Sequence, residues 1–153
     1  MRSAELKVVH FVCYFSLLFS MALSGCGENS IGDVNKELMS YMKQLEHDPL
    51  NCFVLSQVGA IHQFKKNYLE SSKYYYKSYE VCPKNVLDLF QSGLSLYFSG
   101  KEEAGFNRMQ GAIEKAKEMK DTKMEQVLEK EFDTLQKFHN KGREGHNKGT
   151  PML

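Results

Sequence analysis

Proline is scarce in this chain: Pro49, Pro83 and Pro151 are the three in 153 residues. Proline removes a backbone donor and breaks a helix interior, so long stretches here carry no such interruption. Runs of β-branched residues are also few. Stretches rich in Lys, Glu, Leu and Met fill the space instead, and these side chains lose little rotamer freedom in a helix. The chain is therefore expected to be all-α. A surplus of one charge is lacking too, with 20 Lys and Arg against 19 Asp and Glu and a net charge of +1. Without a basic block, nucleic acid is excluded as a principal partner. Beyond the N-terminus there is no apolar run of the ~20 residues that a spanning helix needs. Missing as well are a glycine-rich phosphate loop, a nucleophile elbow and a clustered acid/base pair. His47, His62, His139 and His146 lack metal-ligand spacing. These absences point away from an enzyme, and no cofactor or metal is expected.

What is present begins at the N-terminus. Arg2 and Lys7 flank an apolar stretch, Val8 to Ala22, which is followed by Leu23-Ser24-Gly25-Cys26. Leucine three residues before a cysteine, with small residues between, resembles the lipobox of bacterial lipoproteins. The resemblance implies a signal peptide over residues 1–25 and a mature chain that starts at Cys26. It also implies a diacylglycerol thioether on the Cys26 sulfur, with acylation of the new amino terminus. Only a thiolate is nucleophilic enough for that attachment near neutral pH. One acyl chain holds a protein to a membrane only marginally, whereas two or three form a durable anchor. The alternative is a signal peptide without lipid and a cysteine there by chance. In the same family an aspartate after the cysteine retains the protein at the inner membrane. Gly27 stands there instead, which implies a bacterial cell-envelope protein on the periplasmic face of the outer membrane. Residues 26–33 are polar and glycine-bearing, as a short tether would be. Residues 140–153 carry Gly142, Gly145 and Gly149 among polar residues and are expected to be a disordered tail.

Between these ends lies a repeat. Pro49 and Asn51 recur as Pro83 and Asn85; Leu55, Gln57, Gly59 and Phe64 recur as Leu89, Gln91, Gly93 and Phe98. Every pair is 34 residues apart. Ser71, Tyr75, Ser78 and Pro83 complete the first unit, and Gly105, Met109 and Ala112 complete the second. This period and this order of large and small positions resemble the tetratricopeptide repeat, a helix–turn–helix unit. The second unit departs from the pattern at Ser92, and at Lys117, which replaces the closing proline. Its last helix is therefore expected to run on toward Lys120.

The resemblance implies a short TPR-type α-solenoid of antiparallel helix hairpins over residues 34–139. It would hold about two repeats, with flanking capping helices at Val34 to His47 and Asp121 to His139. Asn51 and Asn85 are placed to cap the first helix of each unit. Gly59 and Gly93 would admit a closely packed second helix, and Gly100 a left-handed C-cap.

First helices of such units line a concave surface that binds peptides or helices. Carried over by position, the surface comprises Phe53, Ser56, Ala60 and Gln63, then Leu87, Phe90, Gln91, Leu94 and Tyr97. Phe53, Leu87, Phe90, Gln91, Leu94 and Tyr97 are the partner-binding candidates. A flanking helix lying in the groove is the competing arrangement. Tyr75 is expected in the core, with Tyr74 and Tyr76 at the surface.

Cys52 and Cys82 remain once Cys13 leaves with the signal and Cys26 takes lipid. In an antiparallel hairpin they lie at the same end, and disulfides persist outside the cytoplasm, so a structural Cys52–Cys82 bridge is expected. Two free thiols facing apart are the alternative. The expected function is that of a membrane-anchored adaptor in an envelope complex, pilotin-like or an assembly factor. Its partner would be a protein or peptide segment, with the membrane engaged through lipid. A small-ligand or peptidoglycan-binding lipoprotein is the alternative.

Overall fold

Asn51 and Asp121 each start a helix by the same chemistry, a side-chain oxygen accepting a backbone N–H three residues on: Val54 N–H at 3.2 Å and Met124 N–H at 3.1 Å. This satisfies one of the donors that every helix start leaves unpaired. A computed structural model describes residues 31–147, and six helices occupy them: α1 (Ile31–His47), α2 (Cys52–Phe64), α3 (Tyr68–Val81), α4 (Val86–Phe98), α5 (Glu102–Glu118) and α6 (Thr122–Asn147). The fold of the described residues is all-α, and the helices from Asp33 onward belong to one compact unit. Cys26 and the lipobox-like stretch lie outside the described residues.

From α2 onward, short turns make consecutive helices antiparallel neighbours. Ser78 Oγ of α3 donates to the Cys52 carbonyl at the start of α2, at 2.8 Å, while Ser71 Oγ donates to the Gly59 carbonyl farther along, at 2.9 Å. Antiparallel pairing of α3 with α4 follows from Ser78 meeting Asp88 while Ser72 meets Ser92. Phe106 of α5 packs edge-on against Phe132 of α6, with centroids 5.6 Å apart. The first helix joins at its start, where Lys65 Nζ donates to Asn35 Oδ1 at 2.7 Å.

Leu55, Val58, Tyr75, Leu89, Met109, Ala112 and Leu128 form the core. Small residues let it close. A Cβ on Gly59 would stand 2.9 Å from the Tyr75 ring, and one on Gly93 would stand 2.7 Å from Met109 Cγ. The disulfide expected from the hairpin is present: Cys52 and Cys82 are bridged, with Cα atoms 6.1 Å apart.

Four local expectations are revised. Asn85 makes no side-chain cap; its Nδ2 donates instead to Asp88 Oδ2 at 2.7 Å, because the buried carboxylate competes for it. The second helix of the second unit stops at Glu118, with Lys120 taking up a positive φ of 59°. The last helix begins one residue later than Asp121 and runs through Gly142 and Gly145 to Asn147, where a tail was expected from residue 140. Once a helix is formed, each added residue gains a backbone bond without a new nucleation cost. Likewise α1 starts at Ile31, inside the segment read as tether.

Candidate partner-binding surface

The expected binding residues divide by unit. Phe53 on α2 is 57% exposed. On α4, Phe90 and Leu94 are buried at 3% and 7% exposure, and Leu87, Gln91 and Tyr97 are half-buried. Phe90 and Leu94 are thus core residues and are withdrawn as partner contacts. Tyr97 is engaged internally. Its ring meets Phe98, Phe106 and His139 edge-on at 5.2–5.9 Å between centroids, and its hydroxyl lies 3.5 Å from His139 Nδ1. His139 belongs to α6, so the terminal helix touches α4 at Tyr97. An aromatic face at the end of a short helical stack is more stable covered than wet.

Gln91 is tied to the first unit, its Oε1 accepting from Gln63 Nε2 at 3.3 Å. Gln63 Oε1 in turn accepts from Tyr75 Oη at 3.2 Å. Ser56 donates to Asp88 Oδ1 at 2.9 Å. The polar side chains between α2 and α4 therefore bind each other.

What remains open is a stripe on α2. Phe64 is 62% exposed and lies about three helical turns from Phe53, so the two share a face, with half-buried Ala60 and Gln57 between them. The corresponding residues of the second unit, Leu87 and Phe98, are half-buried. The 53–60–64 spacing carries the signal for this face in the sequence.

Asp88 was also not anticipated as a buried group. Its carboxylate is 3% exposed and accepts from Ser56, Ser78 and Asn85, joining α2, α3 and α4. Burial raises its pKa above the ordinary carboxylate value; the Ser78 and Ser56 hydroxyls act the other way and do not overcome it. An acidic residue in the first turn of an otherwise apolar helix was the visible signal. Tyr75 is core, as expected, and burial pushes its phenol pKa upward. His62 stacks on Tyr74, centroids 5.4 Å apart, and burial lowers its pKa; its Nδ1 has no hydrogen-bond partner.

Among the described residues no group of three His, Cys, Asp or Glu side chains is arranged to hold a metal, and no helix is long and apolar enough to cross a membrane. The chain matches no family model and no curated protein.

Proposed function

We propose that this chain is a lipid-anchored adaptor of a bacterial cell envelope, built on a short tetratricopeptide-type stack, and that it holds a protein segment on the outer face of α2. The carrying observation is the pair Phe53 and Phe64, both more than half exposed on one helix face. Two such rings on one helix are a cost in water and a gain against an apolar partner. Polar groups beside them, Ser56 and Gln63, are already hydrogen-bonded within the protein, which favours an apolar segment over a polar small ligand. The repeat reading is supported by the spacing of 34 between Gly59 and Gly93, both pressed against their second helices. Lys66 and Gly100 have the same spacing and both hold positive φ. The anchor reading rests on the Leu23-Ser24-Gly25-Cys26 motif.

Two measurements test the two parts. A photo-crosslinking residue at position 64 should join the partner in membranes, and Phe53→Ser with Phe64→Ser should abolish the adduct while leaving thermal unfolding nearly unchanged. Retention of the partner by the folded double variant sinks the docking face. Independently, Cys26→Ala should prevent incorporation of labelled palmitate and leave the precursor uncut; normal labelling of that variant sinks the anchor.

A further inference from the structure

Arg108 is a partly buried cation with no ion-pair partner among the described residues. It projects from α5, and its guanidinium carbon lies 4.4 Å from the centroid of the Tyr76 ring on α3. Its Nη1 donates to two hydroxyls, Ser92 Oγ at 2.8 Å and Ser72 Oγ at 3.2 Å. Both serines are buried, and they are also bonded to each other, at 3.0 Å. Ser92 Oγ further donates to the Ser72 carbonyl at 2.8 Å. The hydroxyls that receive Arg108 are thus neutral and held in place from behind. No acceptor among the described residues meets its Nε or Nη2, and it forms no ion pair with them. Burial lowers its pKa, and Glu80 acts on it only from beyond ion-pair distance.

A desolvated charge without a partner is costly. A guanidinium held over an aromatic ring also presents its free donors as a planar fork, the geometry that binds a carboxylate bidentately. We propose that Arg108, stacked on Tyr76, is a carboxylate-binding site for an acidic side chain of a partner protein segment. Tyr79 extends the same surface, its ring 6.4 Å from that of Tyr76, and both rings are half-buried. They offer the amphipathic contact that tyrosine supplies at interfaces. The site is carried by α3 and α5, so it is separate from the α2 stripe and does not depend on that assignment.

The test uses the full domain and two acetylated, amidated tetrapeptides that differ only in Glu against Gln beside a leucine, with side-chain NMR of Arg108 Nε–H and the Tyr76 ring. The Glu peptide should shift both signals saturably and bind at least about tenfold more tightly than the Gln peptide, the scale of one charge-assisted hydrogen-bond pair. Arg108→Lys keeps the charge but loses the fork, and should weaken the Glu peptide by a similar factor while the spectrum stays folded. The wild-type comparison needs no variant, so a poorly folding Arg108→Lys leaves it decisive. Absence of saturable shifts with the Glu peptide overturns the proposal, and so does equal binding of the Gln peptide. Undiminished binding by folded Arg108→Lys, or tighter binding of inorganic phosphate, also overturns it.

Discussion

Gly93 of α4 and Gly105 of α5 touch backbone to backbone: a Cβ on either would stand 2.8 Å from the other's carbonyl oxygen. Side chains cannot yield here, because the obstacle is main chain. Gly93→Ala should therefore force α4 and α5 apart and destabilise by about 1–3 kcal/mol, the usual range for overpacking. Gly111, in the same α5, is the control. A Cβ there meets nothing within 4 Å, so Gly111→Ala should stabilise by up to about 1 kcal/mol through helix propensity. Urea unfolding of the two variants should move in opposite directions, and two shifts of the same sign would defeat the argument.

Lys66 adopts φ of 61° where Gly100 adopts 88°, both in turns that follow the first helix of a hairpin. A left-handed conformation costs a residue with a Cβ roughly 1–2 kcal/mol, and glycine avoids that cost but loses more entropy on folding. Lys66→Gly should thus stabilise by roughly 0.5–1 kcal/mol, and Gly100→Ala should destabilise by a similar amount. Differential scanning calorimetry of the pair checks this; an unchanged transition in both variants would show that the turns are not held in this conformation.

The buried Asp88 gives a pH signature. Its folded pKa is raised by burial above the ordinary 3.8, so between those two values the native state binds more protons than the unfolded chain. Its contribution to stability is then fully present below 3.8 and declines as pH rises through the raised value. Asp88→Asn removes that slope. The stability of the wild type relative to Asp88→Asn should therefore fall from acidic to neutral pH. A difference that grows toward neutral pH would mean that Ser56, Ser78 and Asn85 hold the carboxylate charged.

The Cys52–Cys82 bridge closes a separation of 30 residues, which a chain-entropy estimate values at roughly 3–4 kcal/mol. Cys52→Ser with Cys82→Ser should lower the unfolding free energy by about that amount. Thiol counting on the denatured, unreduced domain should find neither cysteine reactive. Two reactive thiols would remove the bridge and its contribution together.

Periodicity in the sequence identified the helices because it is a local property. Gly59, Gly93 and Gly105 stood out because only a packing need explains small residues at repeated places. The expected Cys52–Cys82 pairing followed from hairpin geometry together with the removal of Cys13 and Cys26 and a compartment where disulfides persist. Coverage is different. Phe53 and Phe90 read alike in sequence, as large apolar residues on the first helix of a repeat. One is exposed and the other buried. Arg108 likewise looks like an ordinary surface charge of an amphipathic helix, and Asp88, though out of place in an apolar helix, does not show by spacing that it is buried. By itself, then, the sequence determined the all-helical class, the hairpin register and the small residues at each close contact, all set by spacing along the chain. Tertiary structure alone decided which aromatic face stays open and which charges are buried. Those depend on what a distant helix brings to the same place, and residue spacing along one helix carries no record of its neighbour.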